Sequence, residues 1–322
     1  MPLIAVTDYG FDDLDIERDI LEPLGCRFTT LSACRDTEQL EARVQDADVV
    51  LTSLAPLNAG VIAAMLKCRL IVRCGIGVDN VDLAAAAKRG IPVCNVPDYC
   101  THEVADHALA MILALSRRIG QNAAKVRSGS WRLGVPVEHM HALKDMVVGV
   151  VAFGRIGRQV ALRLKPFGCR ILIADPRVPA ERIRDDGFEP VALTELLARS
   201  NLVTLHCPST PETRQMIDAA SLSAMKRGSL LVNVSRGTLV NTDDLVAALR
   251  SGALSGAALD VTDPEPIPAD HPLLSIENVL VTPHTGAASP AAGRKLRTDV
   301  AETVATVLRG GKPPNVVNGV DV

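Results

Sequence analysis

The stretch from Met146 to Asp175 constrains the fold more than any other part of the chain. Met146-Val147-Val148-Gly149-Val150-Val151 is an apolar, β-branched run of strand type, broken at once by Ala152-Phe153-Gly154-Arg155-Ile156-Gly157. Ile156, Val160, Leu164 and Phe167 then recur at the spacing of one helix face, and Gly168 stops the pattern. Arg170 to Ala174 is a second strand-like run that closes on Asp175, 21 residues after Gly154. Strand, glycine turn, helix, strand and acid define a βαβ unit with parallel strands. Such a turn lets the backbone approach a pyrophosphate at a helix N-terminus, and the acid accepts ribose hydroxyls. Gly154, Arg155, Ile156, Gly157 and Asp175 are therefore expected to hold a dinucleotide. Ala152 stands where the first glycine of the motif usually falls, and a Cβ there requires φ to stay negative.

The same alternation runs through the rest of the chain. Before Met146, strand-like runs at Leu3–Thr7, Cys26–Leu31, Val49–Thr52, Leu70–Arg73 and Pro92–Asn95 are separated by helical patterns. An α/β protein with two doubly wound parallel sheets follows. A long apolar helix is expected from Thr101 to Ile119, placed between the domains. A polar, Gly-rich arm from Gln121 to Lys144 carries the lone Trp131. The last helix, from about Ala291, is expected to return the tail to the first domain. That gives one domain of residues 1–100 and 286–322 and another of residues 101–285.

Composition narrows the function. Aromatics make up 2% of the 322 residues, which disfavours nucleic-acid binding by base stacking. The net charge of −3 shows no long run of either sign. The longest apolar run, Ala108 to Leu115, is too short to span a bilayer. Acids crowd the N-terminus where a signal peptide needs basic and then apolar residues. Eight cysteines form no CxxC pair, so they read as reduced thiols of a cytoplasmic protein without a metal site.

The chemistry concentrates between Leu230 and His284. Leu230 to Val234 stops at Ser235-Arg236-Gly237, Gly256 to Leu259 stops at Asp260, and Val279-Leu280-Val281 stops at Thr282-Pro283-His284. Strand C-terminal ends are where open α/β sheets place ligand sites. Arg236, Glu265 and His284 are thus expected to converge. A guanidinium, a carboxylate and an imidazole together suit reduction of a 2-oxo acid.

These residues resemble the D-isomer-specific 2-hydroxyacid dehydrogenase family, and most closely its C-terminal-binding-protein-like branch. The resemblance covers essentially the whole chain. It rests on Val72 to Asn80, Asn95 to Tyr99, Glu103-Val104-Ala105-Asp106-His107, the glycine turn with Asp175, Leu205 to Pro208, Asn233 to Gly237, Leu259-Asp260, Glu265-Pro266 and Thr282-Pro283-His284. The motifs stand in order, with Glu265 29 residues after Arg236 and His284 19 after Glu265. The resemblance implies a Rossmann NAD-binding domain inserted in a flavodoxin-like substrate domain. It implies that Arg236 binds the substrate carboxylate and polarises the 2-oxo group, as a planar fork can. His284 would donate the proton in reduction, and Glu265 would hydrogen-bond it and favour its protonated form. Arg73 and the backbone of Gly75, Ile76 and Gly77 would meet the small 2-oxo or 2-hydroxy acid. Asp260 would hold the nicotinamide carboxamide, lined by Val104 and Val234. His206, Cys207, Pro208, Thr213, Ser235 and Gly286 complete the implied cofactor contacts. His206 reads two ways, touching the cofactor or supporting a loop, whereas His102, His107, His139, His141 and His271 read as structural or exposed.

Ala287 departs from the branch pattern, which has tryptophan three residues after the histidine. The implied activity is an NAD-dependent D-2-hydroxyacid dehydrogenase, with NAD preferred to NADP and a homodimer as the assembly. The alternative is a dinucleotide-sensing scaffold like the co-repressor members of the branch. A formate dehydrogenase is disfavoured because that relative has Gln at the Glu265 position, and phosphite is excluded only weakly. Phosphoglycerate enzymes often append a regulatory domain, and none is expected here.

Overall fold

The computed structural model describes residues 1–31, 34 and 36–321. Along the chain come β1 (Leu3–Val6), α1 (Asp15–Leu21), β2 (Arg27–Thr30), α2 (Thr37–Val44), β3 (Val49–Thr52), α3 (Ala59–Ala64), β4 (Leu70–Arg73), α4 (Leu83–Lys88) and β5 (Val93–Cys94). Next are α5 (Thr101–Ser116), α6 (Ile119–Arg127), β6 (Val147–Val151), α7 (Arg155–Leu164), β7 (Arg170–Ala174), α8 (Ala180–Asp185), β8 (Glu189–Pro190), α9 (Leu193–Arg199) and β9 (Leu202–Leu205). Then follow α10 (Ala219–Ala224), β10 (Ser229–Asn233), α11 (Thr242–Arg250), β11 (Leu254–Leu259), β12 (Val279–Val281) and α12 (Pro290–Leu308). The chain divides into two compact units, Met1–Tyr99 with Ser289–Val322, and Cys100–Ala288.

The first unit holds a five-stranded sheet in the order β2-β1-β3-β4-β5, all parallel. This is the flavodoxin-like winding, with its switch point between β1 and β3. β3 and β4 are buried at every position, which is why they read as unbroken apolar runs and not as alternating strands. Each fully buried Val, Leu or Ile there stabilises by about 1.5–3 kcal/mol. Helix starts are set by side-chain caps: Asp36, Asn58 and Asp82 accept from Glu38, Val61 and Ala85 N–H groups. The tail belongs to this unit. Val317 N–H donates to Val93 O, and the Asn318 side chain bridges Val93 N–H and Ile91 O.

The second unit holds a seven-stranded parallel sheet in the order β12-β11-β10-β9-β6-β7-β8. The order reverses beside β6, as in a Rossmann sheet, so β6 opens the crevice where dinucleotides bind. Of the helix face expected from Ile156, Val160, Leu164 and Phe167, Val160 and Leu164 are buried and Ile156 is half-buried, whereas Phe167 lies in a separate turn beyond α7 and is exposed.

The structure differs from expectation around the arm. The long helix ends at Ser116 and not at Ile119, and α6 occupies the start of the expected arm. The break is at Arg118, whose φ is 54°. Its guanidinium donates to His139 O, Ser255 O and Ser255 Oγ, and reaching all three turns the backbone out of the helix. α10 starts at Ala219 behind the Asp218 cap, whose side chain accepts from Ser221 N–H. Among the described residues no helix is long and apolar enough to cross a membrane, and no cluster of His, Cys, Asp or Glu could hold a metal ion.

Candidate active site

At the C-terminal edge of the second sheet, Arg236 follows β10, Asp260 follows β11 and His284 lies three residues after β12. Each is placed by a loop with its own wiring. The buried Asn233 side chain accepts from Ser235 N–H and donates to Arg236 O, bending the chain sharply at the strand end. Ser235 Oγ donates to Cys207 O, tying that bend to the neighbouring strand end. Gly237 cannot carry a side chain, since a Cβ would stand 2.0 Å from the carbonyl of Thr262. That close approach brings the Arg236 bend against the segment leading to Glu265.

His284 Nδ1 lies 2.7 Å from Glu265 Oε1, and each side chain keeps 34% of its surface exposed. Burial alone would raise the Glu265 carboxyl. The hydrogen bond and charge of His284, a Thr262 backbone bond and the Arg236 charge outweigh it and hold the group below its ordinary value. The structure therefore brings Arg236, Glu265 and His284 together. Glu265 is ionised, and the bond it makes on Nδ1 leaves Nε2 as the ring nitrogen available for proton transfer.

Asp260 is 2% exposed. Its Oδ1 accepts from Thr282 Oγ1 and Thr285 N–H, and its Oδ2 from Gly286 N–H. His284, at φ 55°, donates its N–H to Asp260 O. Asp260 thus holds the loop that carries His284.

The dinucleotide turn fits the cofactor that the motif implies. At the start of α7 Gly154 supplies no capping side chain, and among the described residues nothing lies within 4 Å of where its Cβ would be. The helix N–H groups there are left for an anion. At Gly157 a Cβ would stand 2.1 Å from Ala152 O, so only glycine packs the helix on the strand end. Asp175 closes β7; its Oδ2 accepts from Phe153 N–H and its Oδ1 from Arg177 N–H. Ala152 corrects an expectation. Its φ is 73°, not negative, because the chain must turn sharply between the Ala152–Ala174 backbone bond and Gly154. A non-glycine residue pays about 1–2 kcal/mol for that conformation.

The remaining expected contacts scatter in role. Val104 and Val234 are buried. Thr213 Oγ1 accepts from Thr210 N–H and donates to Pro208 O, holding the turn in which Pro208 is exposed. Burial pushes the Cys207 thiol up to about 11, so it is no nucleophile. His206 Nε2 bonds Thr204 Oγ1 while Nδ1 is buried without a partner, and burial pulls the ring down to about 3. The ring is neutral and lies beside Gly157 at the dinucleotide turn. Arg155 is exposed and Ile156 half-buried.

In the first unit Arg73 is 8% exposed and lies over Gly75, where a Cβ would meet its Nη1 at 1.5 Å. Gly75 N–H turns back to Arg73 O, and Asn95 holds Ile76 O. Gly77 follows, half-buried. A separate cavity of about 700 Å³ opens at the N-terminal ends of β9 to β12, lined in part by Arg118, Lys226 and Arg227, with none of the candidate catalytic residues.

Asn233 and Thr282 escaped the sequence reading as site residues, although both sit in quoted motifs. For Asn233 the signal was a polar residue ending the fully buried β10, whereas Thr282 follows the half-buried β12 and had no such signal.

A Rossmann sheet with an acid/base pair and an arginine at its C-terminal edge defines a nucleotide-dependent oxidoreductase. The family model described as D-isomer specific 2-hydroxyacid dehydrogenase, NAD binding domain, matches residues 109–286. The glyoxylate reductase of Korarchaeum cryptofilum is 40% identical over 86% of this chain and 84% of its own. The D-3-phosphoglycerate dehydrogenase of Mycobacterium leprae is 40% identical over 88% of this chain, which spans only 53% of that relative's length. The solved TT0316 protein of Thermus thermophilus is 36% identical, with a TM-score of 0.87 over 98% of this chain and 99% of its own. The chain belongs to the D-isomer-specific 2-hydroxyacid dehydrogenase family, oxidoreductases that act on the CH–OH of 2-hydroxy acids with NAD(P).

Proposed function

We propose that the chain reduces a small 2-oxo acid to the D-2-hydroxy acid, with NADH preferred to NADPH. The observation that carries this reading is the 2.7 Å contact of His284 Nδ1 with Glu265 beside Arg236. NADH supplies the hydride. Arg236 pairs its planar fork with the substrate carboxylate and draws charge onto the 2-oxo oxygen as it becomes an alkoxide. His284 hands the Nε2 proton to that oxygen, and Glu265 offsets the positive charge of the ring before transfer. In oxidation the same nitrogen takes the proton back.

Gly154 to Gly157 and the open start of α7 would hold the pyrophosphate, and Asp175 the ribose diol. Asp175 supports NADH because a carboxylate at the strand end repels a 2′-phosphate, although exposed Arg177 stands two residues on. The spare lone pair of Asp260 would take the carboxamide. Arg73 and the Gly75–Gly77 loop would contribute to the substrate carboxylate, with Ile76 and Gly77 offering the N–H groups that Gly75 spends on Arg73.

Glyoxylate reductase and phosphoglycerate dehydrogenase among the relatives make glyoxylate and hydroxypyruvate the first acids to test. Arg73 supports placement near the C-terminal-binding-protein-like branch, while Ala287 sets this chain's pocket apart from it. A homodimer is supported by exposed apolar residues gathered at 119–137, Ile119, Val126, Leu133 and Val137 among them and Trp131 at 90% exposure. Sedimentation giving only monomer at micromolar concentration would remove it. Eight free cysteines support a cytoplasmic location.

The test is NADH oxidation, followed by absorbance, across a panel of 2-oxo acids. Turnover on the order of 1–10³ s⁻¹ is expected. Tight NADH binding with no turnover of any acid would favour the scaffold reading instead.

A further inference from the structure

We infer that His107 is a positioning residue for His284, acting through Thr282 and Asp260 and not on the substrate. The inference rests on the proposed role of His284 in moving the proton.

His107 lies on α5, and its Nε2 is 3.3 Å from Thr282 Oγ1 and 3.4 Å from Asp260 Oδ1. Thr282 has one hydroxyl hydrogen. At 2.6 Å from Asp260 Oδ1 it is donated there. The His107 nitrogen therefore faces two oxygens that offer only lone pairs. A contact of that kind holds only if Nε2 carries a hydrogen and shares it between them. The ring also lies against the loop end, because a Cβ on Gly286 would stand 3.5 Å from its Cδ2.

The consequence follows from what Asp260 does. It gathers the Thr282 hydroxyl, the Thr285 and Gly286 N–H groups and, on its own carbonyl, the His284 N–H. The backbone of His284 is thus fixed by one buried hub, and its ring by Glu265. His107 reaches the hub from a different helix and binds it to α5. α5 packs on α7, β10 and β11, so the loop is referenced to the body of the unit and not only to itself. Proton transfer tolerates little misplacement, and an error of the order of 1 Å can cost about 10²-fold in rate. Loosening the hub leaves His284 chemically intact but spreads its position. That lowers turnover and leaves substrate binding through Arg236 in place.

Two substitutions separate this from simple support of the fold. His107→Gln keeps an N–H at the same reach, whereas His107→Leu keeps volume and loses the donor. The Leu variant is expected to lose about tenfold in kcat with the KM for the acid unchanged, and the Gln variant to stay within about threefold of wild type. Nitrogen-15 NMR of histidine-labelled protein is expected to show a proton on Nε2 of His107. Equal kcat in the Leu variant, a rise in KM at constant kcat, or an unprotonated Nε2 would each overturn the inference. Should the wild type turn over no 2-oxo acid, the proposed function fails first, and the protonation of His107 on the same sample still decides the contact.

Discussion

Two carboxylates end two strands of the same sheet, Asp175 after β7 and Asp260 after β11, and they are used differently. Asp260 is almost wholly buried and accepts from two loop N–H groups and a hydroxyl. Asp175 is half-buried and accepts from Phe153 and Arg177 N–H, one on each oxygen. Both first satisfy loop donors that otherwise would be left unpaired: Asp175 serves its own turn at Arg177 and the turn after β6 at Phe153, and Asp260 serves the loop after β12. What remains differs. Asp175 keeps surface toward solvent and can meet a ligand. Asp260 is spent mostly on holding the loop of His284. A strand-end acid therefore serves the loops around it before it serves a ligand, and burial decides how much is left for the second task.

The largest effect should come from the residue that the Asp260 loop carries. His284→Ala is expected to lower kcat by roughly 10²–10⁴, the range for a lost general acid. Arg236→Ala should damage both kcat and KM, because the carboxylate is held in ground and transition states alike. Steady-state kinetics with the best acid of the panel decides both, and near-wild-type turnover in His284→Ala would sink the mechanism.

Asp260→Ala comes next, and here the two acids should part. It leaves the Thr285 and Gly286 N–H groups and the Thr282 hydroxyl without their acceptor. A loss of about 1–3 kcal/mol in stability is expected, with a fall in kcat. Asp175→Ala should instead spare kcat. It is expected to raise the KM for NADH roughly tenfold, about 1.4 kcal/mol of binding, and to narrow the preference over NADPH. Chemical denaturation and cofactor titrations measure the pair. If Asp175→Ala destabilises as much as Asp260→Ala, the contrast drawn from burial fails.

Much of this was legible in the sequence, for physical reasons that also mark where it was not. The βαβ unit, the strand ends and the meeting of Arg236, Glu265 and His284 follow from periodicity and from where a parallel sheet places its C-terminal edge. Arg118 was not legible. Its left-handed backbone is set by acceptors at Ser255 and His139, and no local propensity signals them. Ala152 misled because local sterics argue for a negative φ, while closing the strand onto the helix demands the reverse. His107 read as structural because its partners Thr282 and Asp260 lie more than 150 residues away in the chain. Between Asp175 and Leu202 the sequence reading was silent, and α8, β8 and α9 there are short elements.

The smallest effect belongs to the Asp175 side of the sheet and concerns pH. His206 follows β9 and packs beside Gly157, with its ring sealed from water on Nδ1. Burial lowers it from 6.5 to about 3. The unfolded chain therefore takes up a proton on this ring near pH 6.5, and the folded chain only near 3. Between those values the unfolded state binds more protons, so the stability associated with the neutral ring is present above pH 6.5 and is lost as the pH falls toward 3. One proton corresponds to a slope of at most about 1.4 kcal/mol per pH unit. His206→Gln removes the titration while keeping a polar side chain near Thr204. Its thermal midpoint is expected to lie below that of wild type at pH 7.5, and the gap should close as the pH is lowered from 6.5 to 4.5. Parallel pH profiles for the two proteins would show that the ring is open enough to protonate in the folded state. The neutral state assigned to the ring beside the dinucleotide turn would then be wrong.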